Sequence, residues 1–339
     1  MRMAEKTKVV LAGSLSENLK KTLGGSISLL EGVEAANPSE AHLILEYKKG
    51  QAWGDVVAPR ANRVIVHCDR TNAELKVLKP FHAAVNSGSD LMVLSGLHLL
   101  DQDPLDVQQH HLKEVLQQID DSSSLSPLTP VHLELASVGN LEYVELLGRS
   151  LIPNVNSIGL NEQELGILYF VLTHPSSSFS SPAERLKQAD EFVRQKFRDP
   201  STLQVQEALE CIFKLPSTNR ARRLDRIHFH SLKFHIIAIR KNGLWANPSS
   251  GLIHGSIAAS TNACGVSSFS KLNPNNFDLL LPPSDMSSFE YSPTHVITAG
   301  DIEYHSTPVL VCKHPVRTVG LGDAISAAGL LHHGVSIVH

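Results

Sequence analysis

The chain has 339 residues, 42% of them hydrophobic and 19% charged, and a formal net charge of −4. That composition is enough for a large buried core, in one big α/β domain or two smaller ones. The lack of a basic footprint argues against nucleic acid as a partner, and no apolar run is long enough to span a membrane.

The first six residues are polar and run into Val9-Val10-Leu11-Ala12-Gly13, which is too short for a secretory segment and reads as a core strand. No targeting signal is therefore expected within the chain, and no membrane contact. Residues 8–13 and 14–23 read as strand, turn and helix. Residues 41–47 and 63–67 have strand composition and are joined by a polar connection containing Trp53-Gly54. With no long helix among them, they suggest a β-rich flap or lid. A helix is expected over 72–87, then a compact apolar strand over 90–96 ending in Ser95-Gly96. The helix over 105–119 places Leu112, Val115, Leu116 and Ile119 on one face.

Strands follow at 131–135 and 157–160, the second stopping at Asn161, with a helix over 141–148 between them. Helices are expected at 183–197 and 203–213, and strands at 226–230 and 234–239. Residues 172–182 and 270–288 are loops by composition. The run Pro308 to Cys312 is a buried strand leading to Gly320-Leu321-Gly322-Asp323, and residues 324–331 continue with helical spacing. Short apolar strands alternating with helices predict a mostly parallel sheet covered on both faces. Functional groups in such sheets gather beyond the carboxyl ends of the strands.

Four constellations lie near those ends. Two glycines between strand and helix leave backbone N–H groups unshielded, a cradle for anionic oxygens. Asp323 at its rim is either a helix-capping residue or a base for a hydroxyl attacking phosphorus. Asn161 and Glu164 fit a capping box, or Glu164 holds Mg2+ beside a phosphate chain. His132 and Glu134 share one strand face, as a buried link or as part of a metal shell. Arg226, His228 and His230 share another face; with no third ligand signalled, a nucleotide pocket suits it better than a metal site. Four cysteines, at 68, 211, 264 and 312, lack metal-ligand spacing.

Six stretches in one order carry a family resemblance. They are Ala58-Pro59-Arg60-Ala61-Asn62-Arg63; Leu94-Ser95-Gly96-Leu97; Val131-His132-Leu133-Glu134-Leu135-Ala136-Ser137; Ser157 to Leu165 around Asn161-Glu162-Gln163-Glu164; Arg226-Ile227-His228-Phe229-His230; and Arg317-Thr318-Val319-Gly320-Leu321-Gly322-Asp323-Ala324-Ile325-Ser326. The chain resembles the ADP-dependent glucokinases of the ribokinase-like superfamily, and its wording is closer to the animal members.

The resemblance implies an α/β fold: a ribokinase-like three-layer α/β/α sandwich with a small β-rich lid. Residues 1–39 would begin the large domain, 40–68 would form part of the lid, and 69–339 would be the nucleotide-binding and catalytic domain. It implies transfer of a phosphoryl group from ADP to the 6-hydroxyl of glucose, giving AMP and glucose 6-phosphate. Asp323 would be the general base. Gly320, Leu321 and Gly322 would form the anion hole, with Asn161, Thr318 and His230 also on the nucleotide. Glu134, Glu164 and Asp323 would serve Mg2+. A monomer is expected, in the endoplasmic reticulum or secreted, or in the cytoplasm if the chain is used as it stands. In an oxidising compartment Cys264 and Cys312 would either pair or remain separate buried thiols. The family's leading section, with acidic sugar-binding residues, a Gly-Gly-Asn turn and, in animal members, a hydrophobic leader, has no counterpart before Lys8. The implied assignment therefore covers nucleotide, magnesium and base but not the whole sugar site. Two alternatives remain: a catalytically silent nucleotide-binding fragment, and a phosphofructokinase-type sugar kinase.

Overall fold

A computed structural model describes residues 7–23, 27–30, 41–47, 50–58, 62–86, 88–122, 129–219, 223–266, 271, 273–280, 292–316 and 319–334. The chain divides into a smaller unit, Lys8–Ser87, and a larger one made mainly of Gly88–His339.

In the smaller unit, β1 (Val9–Leu11) is followed by α1 (Glu17–Leu23) and pairs in parallel with β2 (Ile27–Leu29). Strands β3 (Ala41–Tyr47), β4 (Ala52–Trp53), β5 (Val56–Val57) and β6 (Asn62–Cys68) come next. They make two antiparallel pairs, β3 with β6 and β4 with β5. Gly54, at φ 59, turns the chain between β4 and β5, a conformation glycine adopts without strain. This ribbon occupies the stretch expected as a lid. The single helix expected over 72–87 is instead two, α2 (Arg70–Ala73) and α3 (Leu78–Asn86). The break is local: Leu75 lies between them at φ 51, which no α-helix continues through.

The larger unit contains β7 (Met92–Leu94), α4 (Leu105–Ser122), β8 (Val131–Glu134), α5 (Leu141–Leu146), β9 (Ser157–Asn161), α6 (Glu162–Thr173), α7 (Pro182–Lys196) and α8 (Thr202–Phe213). It continues with β10 (Arg226–His230), β11 (Phe234–Arg240), α9 (Pro248–Ala263), β12 (Phe277–Leu280), β13 (His295–Ala299), β14 (Ile302–Cys312) and α10 (Leu321–His333). One sheet runs in the order β12-β14-β11-β10-β9-β8-β7, with β13 also on β14. Strands β7 to β10 are mutually parallel; β11 is antiparallel to β10 and β14 to β11, so β14 rejoins the parallel direction. The sheet is thus mixed, with β11, β12 and β13 reversed. Short hairpin links join β10 to β11 and β13 to β14, whereas α9 lies between β11 and β12.

Alternation along β10 sorts its residues between two layers. Ile227 and Phe229 are fully buried on the α6 side, beside Ile158 and Leu160 of β9. Arg226 and His228 face α10 on the other side, where a Cβ on Gly329 would press into His228. Helices therefore cover both faces, as expected. Helix α9 was not expected from the sequence, because its many Gly, Ser, Thr and Asn residues have weak helix propensity. Packing forms it: Gly251 lies so close to α10 that a Cβ would come within 2.8 Å of the Gly329 carbonyl oxygen. The expected loop over 270–288 also contains a surprise. Phe277–Leu280 is a strand, paired with Val309–Cys312 at the end of β14. Cys264 and Cys312 form a disulfide, with Cα atoms 5.6 Å apart.

Candidate active site

The parallel registers set the site. His132, Ser157 and Arg226 form one row across β8, β9 and β10, and Glu134, Gly159 and His228 form the next. Glu134, Asn161 and His230 end their strands at the same sheet edge. Strand β14 points the same way, so the turn into α10 returns to that edge.

Gly320 precedes α10 at φ 72, a left-handed conformation suited to glycine, and no side chain caps the helix. The N–H groups of its first turn, aligned with the helix dipole, therefore suit an anion. Asp323 is the third helical residue and is exposed, so it is not the N-cap that a glycine-turn reading allows. Gly322 packs over His230; a Cβ there would stand 3.1 Å from the ring Cε1. Burial holds the His230 imidazole below its ordinary pKa, against the opposing charges of Glu134 and Asp323. Thr318, assigned to nucleotide from the sequence, lies outside the described residues, as does Arg317.

At the end of β9 both members of the capping box are present. Asn161 Oδ1 accepts from the Gln163 and Glu164 amides at 2.9 and 3.0 Å, and Glu164 Oε2 accepts from the Asn161 amide at 2.9 Å. The cap does not settle the Glu164 charge. Burial, reinforced by the nearby Glu134 charge, pushes its carboxyl up to about 8 although the Asn161 amide opposes the shift. Glu164 also lines a small hollow with Leu135, Val138, Leu147 and Leu168.

Glu134 is held on both sides. Ser326 donates to its Oε1 at 2.8 Å, and His132 Nε2 meets Oε2 at 3.0 Å. Burial lowers the His132 pKa despite Glu134, so the ring is a neutral donor there. With Nε2–H donating, Nδ1 accepts from the Ser157 hydroxyl at 2.8 Å. Ser157 in turn accepts from Arg226 Nη1 at 2.9 Å, and Arg226 Nε donates to His333 Nδ1 at 2.8 Å.

Arg226 is fully buried and its pKa falls to about 9 through desolvation, which Glu134 partly offsets. Its guanidinium also lies over the Trp245 ring, 5.2 Å from the centroid. Arg226 and Glu134 are thus a charge pair bridged by two neutral side chains. Four members of this cluster were not assigned to the site from the sequence: Ser157, Gly159, Ser326 and His333. Gly159 carried a signal, since glycine inside an apolar strand marks a close approach. A Cβ there would overlap the Glu134 carboxylate and come within 3.0 Å of Ser326 Oγ. Among the described residues, no three His, Cys, Asp or Glu side chains converge as a metal cage.

The model of the ADP-specific phosphofructokinase/glucokinase conserved region matches residues 1–332. The chain is 35% identical to an ADP-dependent glucokinase of Bos taurus over 342 residues, covering 97% of this chain and 64% of that protein. It is 30% identical to a probable ADP-dependent glucokinase of Caenorhabditis elegans over 346 residues, 96% of this chain and 65% of that one. The chain therefore spans just under two thirds of the length of these relatives. A solved ADP-dependent kinase, in complex with fructose-6-phosphate and ADPβS, aligns with TM-score 0.63 at 20% identity. The alignment covers 89% of this chain and 67% of that one. The fold is the ribokinase-like α/β fold of those kinases. With a family match across nearly all its residues and relatives at this identity, the chain belongs to the ADP-specific phosphofructokinase/glucokinase family.

Proposed function

We propose that this chain carries the phosphoryl-transfer site of an ADP-dependent glucokinase, moving the β-phosphoryl of ADP to the 6-hydroxyl of glucose. One observation carries the reading: the uncapped Gly320–Asp323 helix start shares a sheet edge with Glu134 and the Asn161–Glu164 corner. Asp323, exposed at the rim, accepts the sugar hydroxyl proton. The first-turn amides of α10 receive the charge of the moving phosphoryl group. Neutral His230 supports Gly322 from below. Asn161 and the Leu321 amide complete the nucleotide side.

The donor set suits Mg2+ held largely through water. Glu134 has both oxygens engaged, whereas Glu164 keeps Oε1 unbonded among the described residues, and its raised pKa marks a carboxylate short of positive charge. Glu164, with Glu134 and Asp323 through water, would hold the ion, which supplies neutralisation of phosphate charge when bound. The Cys264–Cys312 bridge supports an oxidising compartment, the endoplasmic reticulum or outside the cell. Residues 40–68 would form part of a lid, and the working unit would be a monomer.

A second reading is ADP binding without turnover. Incubating the chain with ADP and glucose, and following AMP and glucose 6-phosphate, tests both; fructose 6-phosphate is the rival acceptor. Glucose 6-phosphate formation is expected. ADP binding by calorimetry without product supports the second reading, and absence of both binding and product defeats the two together.

A further inference from the structure

Helix α10 is fastened to the sheet near its middle and at its end by one hydrogen-bonded chain. It starts at Ser326, one turn after Asp323, and passes through Glu134, His132, Ser157 and Arg226 to His333 in the last turn. Ser326, His132, Ser157, Arg226 and His333 are each no more than 3% exposed, so water does not compete for these bonds. The contacts run without a gap along the chain: Ser326 donates to Glu134, His132 bridges Glu134 and Ser157, and Arg226 donates to both Ser157 and His333. Gly159 leaves the space in which Glu134 and Ser326 meet.

On α10, residues three apart lie on neighbouring positions of one face. The Ser326–Glu134 bond therefore fixes the turn that carries Asp323 and the anion-binding amides. We propose that Ser326 is a positioning residue for phosphoryl transfer: through Glu134 it holds the base and the anion cradle in register with the carboxylate edge of the sheet. This role rests on the kinase reading above. Ser326 is only 3% exposed and its hydroxyl is bound to Glu134. Its contribution is geometric, and small misplacements of reacting groups are costly in rate.

The test is a double-mutant cycle with a second, activity-independent readout. Ser326→Ala should lower kcat about 10- to 100-fold and leave the glucose KM within about twofold. Ser326→Thr, which keeps the hydroxyl, should recover most of the loss. In a Glu134→Ala background, removing the hydroxyl should cost less than about threefold, because its acceptor is already gone. Parental kcat in Ser326→Ala, or effects that multiply fully in the double variant, would overturn the proposal. Amide exchange over residues 321–327, followed by mass spectrometry, is independent of turnover. It should be faster in Ser326→Ala than in the parent at equal global stability, and unchanged exchange overturns the proposal. If the parent makes no glucose 6-phosphate from ADP, the kinase reading fails on that ground alone. The exchange measurement then still decides whether Ser326 holds the turn.

Discussion

Gly322 and His230 are packed against each other, with 3.1 Å between a Cβ built on the glycine and the imidazole Cε1. His230 is only 9% exposed and its strand is hydrogen-bonded on both sides, so the ring has little room to retreat. Gly322→Ala should therefore displace the start of α10. We expect ADP affinity to fall about tenfold at a stability cost of about 1–3 kcal/mol. Calorimetric titration beside a thermal melt checks this, and parental affinity would show that the turn adapts.

Asp323→Asn keeps the size of the side chain and the backbone amides around it. Loss of a negative charge in the first helical turn should cost about 0.3–1 kcal/mol. Turnover should fall about 10²- to 10⁴-fold if this carboxylate removes the sugar proton. A variant within a few-fold of the parent in glucose 6-phosphate formation removes Asp323 from the mechanism.

Glu164→Gln preserves an oxygen to accept from the Asn161 amide, so the capping box survives. Folding should be unharmed. Turnover should drop at least about tenfold at low Mg2+ and respond differently to added Mg2+. Identical Mg2+ titrations of the two proteins would leave Glu164 with its capping role alone.

Acid should destabilise the fold through its buried histidines. Burial, then the charge of Arg226, drives the His333 pKa down to about 2; burial, then His230, takes His235 to about 3. His228 is also lowered, by burial and Arg226. Each ring is neutral when folded but takes a proton below about 6.5 when unfolded, so the unfolded state binds more protons. Stability then falls as pH drops through 6.5, by about 1.4 kcal/mol per pH unit for each such ring. His235→Phe should reduce the loss between pH 7 and 5 by about 2 kcal/mol. Denaturant melts at the two pH values measure it; an unchanged difference contradicts the assignment.

The Cys264–Cys312 bridge closes 48 residues of chain and ties the end of α9 to the end of β14. Reduction should lower stability by about 2–4 kcal/mol. Thermal melts with and without dithiothreitol compare the states, and Cys264→Ser should reproduce the reduced value. Equal melting temperatures would mean that the bridge does not form in the protein.

Much of the sheet was legible because its strands are apolar runs with clear ends: 131–135, 157–160, 226–230 and 234–239 all lie within a residue or so of the observed strands. The edge residues Glu134, Asn161 and His230 could be placed for the same reason. Helix α9 could not, since tertiary contact and not propensity makes it helical. Nor could Ser326 and His333: a serine and a histidine on an apolar helix signal nothing until the register brings them to Glu134 and Arg226. The break at Leu75 did have a signal in the sequence: Pro80 fits the first turn of α3 but not the interior of one helix over 72–87.

Strand β14 has consequences for the order of assembly. Along its eleven residues it borders β11 on one side, and β13 and then β12 on the other. Its pairing with β11 joins Phe234 to Pro308 and Arg240 to Ile302, partners separated by a whole helix and two strands. Such non-local pairings form slowly, because loop-closure entropy is lost before the contacts reward it. The glycine turn hangs from the far end of this strand. During synthesis the Glu134 and Asn161 corners can form early, but the cradle waits for the last sheet pairing. A chain interrupted between β11 and β14 would thus lack the glycine turn altogether.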